Sequence, residues 1–216
     1  NALINNLPGA FNVALGEGAL ASQISVWGNV AIGRYAMLNN TTGHMNVAVG
    51  GEAPMGENTS GSFNTAVGNR SMVRNSTGQA NVAVGHESMW RFAGTQNTAV
   101  GAAAMTANGD GSDNTALGFA ALGYLISGSH NIGIGRGAGE LMQTGSNNII
   151  IGAPGVVSES NVIRIGNVVS HERTFMAGVY GVATGAVGAA VVIDANGQLG
   201  TISSSARYKE DIRPMA

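Results

Sequence analysis

Along most of the chain, short runs of alternating apolar residues open on Asn and close on Gly, and the run returns about every seventeen residues. The pattern is Asn-x-Ala-x-Gly. Its asparagines are Asn12, Asn29, Asn46, Asn64, Asn81, Asn97, Asn114, Asn131 and Asn148, and its closing glycines are Gly16, Gly33, Gly50, Gly68, Gly85, Gly101, Gly118, Gly135 and Gly152. Gly133 and Ile150 replace the central Ala in the last two copies, and a degenerate tenth copy ends in Ile163, Ile165 and Gly166. The two positions beside the Ala carry mostly Val, Ile, Leu or Thr. Period-two alternation of β-branched residues predicts a β-strand with one buried face. On this reading the branched side chains point inward, and the Ala strip forms a flat outer face that another backbone can approach.

A second Gly stands three residues before Asn in eight copies, at Gly9, Gly43, Gly61, Gly78, Gly94, Gly111, Gly128 and Gly145, which predicts a recurring corner. A small residue followed by Met or Leu comes after each strand, as in Ala36-Met37 and Ser88-Met89. This is expected to form a second short strand. Two strands and two turns make one coil, so the fold class is all-β, a parallel solenoid of about ten coils. Coils with the same sequence phase stack in register about 4.8 Å apart, giving a rod of roughly 45–50 Å. Equivalent Asn side chains then align, either as an amide ladder along the stack or as local turn formers. One coil buries only three or four apolar side chains, too little to order itself, so stacking and lateral association with further chains are expected.

Composition agrees with thin repeated layers. The chain has 216 residues, 34 of them Gly; 10% are charged and 5% aromatic, and the net charge is −2. No basic stripe is present, so no nucleic-acid partner is expected. There is no cysteine, which excludes disulfides and thiolate metal sites. Residues 174–193 are uncharged and contain Gly181-x-x-x-Gly185. They run into a turn signal, however, and read as a buried stem segment with no membrane insertion. Beyond the repeats, 175–179 reads as a strand, while 190–193 and 198–202 read as a hairpin turning at Asn196-Gly197.

The repeats at residues 12–166 resemble the head repeats of trimeric autotransporter adhesins, whose units read Asn-Ser-Val-Ala-Ile-Gly; Asn29-Val-Ala-Ile-Gly33 is a close match. That resemblance implies a left-handed parallel β-roll, a homotrimer of side-by-side chains, an extracellular fibre on a bacterial surface or virion, and an adhesive role. A second resemblance lies at Ser203-Ser204-Ser205-Ala206-Arg207-Tyr208-Lys209-Glu210-Asp211-Ile212, which looks like the opening of the self-cleaving intramolecular chaperone of phage tail fibres and endosialidase tailspikes. It implies cleavage before Ser204 by a dyad of Ser204 and Lys209, with the missing chaperone supplying the burial that lowers the Lys pKa. The expected organisation is a repeat domain at 1–167, a β-rich stem at 168–202, and the start of the chaperone at 203–216.

Other candidate chemistry is sparse. His44, His86, His130 and His171 occupy different phases and form no column, so no metal is expected. Asp110 and Asp113 read as a turn in preference to a Ca²⁺ loop. No arrangement for turnover catalysis recurs, and no cofactor is expected. Trp90, Arg91 and Phe92 interrupt an otherwise small and polar loop phase, and exposed aromatics beside Arg mark recognition surfaces. The leading expectation is a structural fibre or adhesin segment that contributes to attachment through a cell-surface glycan or protein. The alternative is a glycan-binding module that uses the rod's own loops.

Overall fold

The computed structural model describes residues 9–91, 93–107, 109–176, 191–195 and 197–201. The chain divides into two compact units, Asn1–Glu172 and Arg173–Ala216. The first holds ten strands, one per coil: β1 (Val13–Leu15), β2 (Val30–Arg34), β3 (Val47–Glu52), β4 (Thr65–Val67), β5 (Val82–Val84), β6 (Thr98–Val100), β7 (Thr115–Leu117), β8 (Ile132–Ile134), β9 (Ile149–Ile151) and β10 (Ile163–Ile165). They form one sheet in chain order, and each neighbouring pair is parallel. Parallel neighbours need a crossover of a dozen or more residues; here residues 16–29 carry the chain from Leu15 to Val30. The fold is therefore a parallel β-solenoid. Register follows the repeat, pairing Ala31 with Ala48, Ala66 with Ala83 and Ala99 with Ala116.

The two faces of the strands are the reverse of the sequence expectation. The central residues Ala31, Ala48, Ala66, Ala83, Ala99, Ala116 and Ile150 are fully buried, whereas their branched neighbours are half-buried or exposed. The reason is volume. Leu20, Met37, Met55, Met72, Met89, Met105 and Leu122 fill the interior from the other side of the coil. Little more than a methyl group fits between them and the sheet. The exceptions obey the same rule: a Cβ on Gly133 would lie 2.8 Å from Leu122 Cγ. In the eighth coil Gly139 stands at the Met phase, and Met142 and Ile150 are fully buried instead.

The expected second strand is a run of turns. Its Met and Leu residues are left-handed, with φ between 49° and 54° from Leu20 to Leu122, and Tyr35, Arg70, Glu87, Ala103 and Ala120, each two positions earlier, are left-handed as well. Such backbone costs on the order of 1–2 kcal/mol per non-Gly residue, so it persists only where surrounding bonds fix it. Those bonds run between coils. The Met72 N–H donates to Ser88 O at 2.9 Å, Met89 to Ala104 O at 2.9 Å and Met105 to Ala121 O at 3.0 Å. In the opposite sense, Glu87 N–H donates to Asn69 O at 3.0 Å and Ala103 N–H to His86 O at 2.9 Å. The run is thus hydrogen-bonded along the stack like a strand, without a strand's dihedrals. Ser71 and Ser88 tie it to the sheet, their hydroxyls donating to Ala83 O and Ala99 O.

The stack closes at its C-terminal end with a change of chemistry. Arg164 takes the central position of β10, which is Ala, Gly or Ile in the other coils, and its Nε donates to Glu159 Oε2 at 2.6 Å. Glu159 Oε1 accepts the Val156 N–H. An ion pair at the phase that is apolar in every other coil gives the stack a polar terminal layer, which suits a capping coil. In the second unit, β11 (Val191–Ile193) and β12 (Leu199–Thr201) pair antiparallel as the expected hairpin, and Gly197 adopts a φ of 83° at the turn. Phe175 and Met176 are not strand; the remainder of the strand expected at 175–179 lies outside the described residues.

Candidate functional site

The repeated asparagines act as structural connectors. Each Asn Oδ1 accepts the backbone N–H of the next copy's Asn, from Asn12–Asn29 to Asn131–Asn148, at 2.9–3.1 Å. Each Nδ2 donates to the carbonyl just ahead of that next Asn, as Asn46 does to Gly61 O at 2.8 Å and Asn114 to Gly128 O at 2.9 Å. One side chain therefore serves both the ladder and the corner. From Asn29 to Asn148 these amides are buried, where an unpaired polar group is costly. The second glycine follows from the same corner: a Cβ on Gly61 would meet Asn58 Oδ1 and the carbonyl of Gly78.

Two further ladders were not anticipated from sequence. Asn58 Nδ2 donates to Asn40 Oδ1 at 2.7 Å and Asn75 Nδ2 to Asn58 Oδ1 at 3.3 Å, three residues beyond the core Met of each coil. Ser112, Ser129, Ser146 and Ser160 accept, through Oγ, the N–H of Thr95, Ser112, Ser129 and Ser146 in turn. The signal for both is an offset of one repeat between like polar residues.

Among the described residues, two surfaces bear on function. The first is the outer face of the sheet. Its two columns run from Val13 to Ile163 and from Leu15 to Ile165, interrupted only by Thr65, Thr98 and Thr115. The second gathers on the turn run of the fourth and fifth coils around Trp90. The guanidinium carbons of Arg91, Arg70 and Arg74 lie 4.8, 5.4 and 5.7 Å from the Trp90 ring centroid. Arg70 pairs with Glu87 at 3.1 Å and Arg74 approaches Glu57 at 4.0 Å. Trp90 and Arg91 both belong to this cluster, while Phe92 lies outside the described residues. Arg70 and Arg74 were missed, although Arg74 precedes Arg91 by one repeat and so shares its column.

The other candidates separate. Trp27 stacks on His44 with ring centroids 5.3 Å apart. Asp113 lies 3.8 Å from His130, and among the described residues no group of three metal-ligating side chains forms. No helix of the described residues is long and apolar enough to cross a membrane. Arg34 is the one described group whose pKa is clearly displaced: its hydrogen bond to Glu17 holds it above the ordinary arginine value, with Tyr35 assisting. Ser204 and Lys209 lie outside the described residues.

The fold and surfaces define a parallel β-solenoid repeat protein. No known family matches the chain, and no curated protein or solved structure is significantly similar to it.

Proposed function

We propose that this chain is a structural fibre segment that assembles as a homotrimer and contributes to attachment at a cell surface or virion. The observation that carries the proposal is the outer face of the sheet, two apolar columns extending through ten coils. Contiguous apolar surface of this extent marks an interaction face. A partner matching it coil for coil needs the same repeat along its length, and another copy of this chain has it. Three copies follow the resemblance to trimeric adhesin heads. The Ala strip, which the sequence suggested as the contact, lies inside the coil, so the branched columns take that role.

Light scattering on the native protein is expected to give three times the chain mass. Val84→Asp is expected to reduce that mass to one chain while the far-ultraviolet circular dichroism of the coil survives, because Val84 is only half-buried within its own chain and a carboxylate there loses its water chiefly on association. A native protein that runs as a folded single chain, or a Val84→Asp variant that still assembles, contradicts the proposal.

A further inference from the structure

The repeat region has six arginines and no lysine, and three of the six surround a single indole. Arg70, Arg74 and Arg91 come from two successive coils. They converge on Trp90, which stands one position past the core Met89 and is half-buried. Like charges gathered so closely repel one another. The two neighbouring carboxylates, Glu57 and Glu87, offset two of the three and leave one positive charge in excess. Among the described residues Arg91 has no ion-pair partner, and its side chain is exposed.

A guanidinium resting near an aromatic ring keeps its attraction to the π face while its N–H edge stays available to an acceptor. The planar fork of Arg matches carboxylate and sulfate oxygens two at a time. We propose that Trp90, Arg70, Arg74 and Arg91 form a binding site for the carboxylate or sulfate groups of an acidic polysaccharide. Trp90 orients the guanidiniums, Arg74 and Arg91 present the exposed donors in one column, and Arg70 holds the inner edge while paired to Glu87. A polysaccharide suits the site better than a free anion because the same chain can offer acidic groups to successive coils.

The inference rests on the attachment reading above for its biological sense, yet its geometry is independent of assembly. Met89 enters the core from the turn run and meets the inner, Ala-lined side of the sheet. Trp90 and its arginines therefore lie on the opposite side of the coil from the branched columns. Trimerisation through the columns leaves the site open.

The test measures binding of the whole protein to immobilised polygalacturonate, heparin and neutral dextran, with light scattering on the same samples. Binding to at least one acidic polymer and not to dextran is expected, weakening as salt is raised. Polygalacturonate alone identifies carboxylate as the preferred group, and heparin alone identifies sulfate. The double variant Arg74→Gln/Arg91→Gln should lose at least about tenfold in affinity, as expected when charge-assisted bonds are removed. Arg34→Gln/Arg136→Gln, which removes the same charge elsewhere on the stack, should retain the wild-type value. A trimer that binds neither acidic polymer overturns the site alone, and equal losses in the two double variants overturn it as well. A single-chain protein that still binds overturns the fibre reading and leaves the site standing; one that does not bind overturns both.

Discussion

At the scale of the residue, Asn81 shows why one amide recurs in every coil. Its Oδ1 accepts both the N–H and the Nδ2 of Asn97, at 2.9 and 3.2 Å, and its own Nδ2 reaches Gly94 O at 2.9 Å. Asn81→Ala leaves a buried N–H and a buried carbonyl without these partners. At roughly 1–3 kcal/mol for each orphaned group, a loss of about 2–6 kcal/mol in urea unfolding is expected. Gln143→Ala, at an exposed turn position, should stay within about 0.5 kcal/mol; similar losses at both sites would contradict the role given to the ladder. The ladder was legible because Asn recurred at one phase. Its corner function was not, since the receiving carbonyl belongs to a different residue type in the first and last coils, Val26 and Glu159.

At the scale of the element, the strands themselves were readable and their orientation was not. Alternation of Val, Ala and Val reports two faces without saying which points inward. The usual guide, that the bulkier side chains are buried, fails where a second run supplies the bulk, as Met72 and Met89 do here. The sequence did carry a hint in the pairing of Gly133 with Leu122, a small residue answering a branched one. The turn run was likewise hidden, because Met and Leu rarely adopt positive φ and only inter-coil bonding holds them there. Corners were legible through glycine, but not all corners are alike. Gly101 adopts a φ of 138°, and a Cβ there would strike the carbonyl of Gly118 in the next coil; Gly152 has a φ of 64° with nothing within 4 Å. Gly101→Ala is therefore expected to lower the unfolding temperature by far more than Gly152→Asn, whose left-handed backbone Asn tolerates. Equal shifts in a thermal melt would show that coil-to-coil contact does not govern this corner.

At the scale of the whole stack, the repeat fixed the number of coils, and the approach of Arg70 and Arg74 to Trp90 emerged only in three dimensions. Arg91 adjoins Trp90 in the chain, whereas Arg70 and Arg74 lie one coil earlier, and only the one-repeat offset of Arg74 from Arg91 links them in the sequence. The Asn ladder has a mechanical consequence at this scale. It joins each coil only to the next, as do the strand pairs, so all these bonds lie in series between the two ends of the stack. Tension applied across the stack loads every junction with the same force, and a junction yields without waiting for the others. Each failure releases a coil of 17 residues, about 55 Å of extended chain in place of a rise of about 4.8 Å. Pulled end to end in a force microscope, the stack is expected to yield in a regular staircase with steps of roughly 50 Å, whereas a single rupture of the full length would mean that the coils share load in parallel. A tether built this way lengthens by instalments, dissipating a sudden pull coil by coil before its attachment is lost.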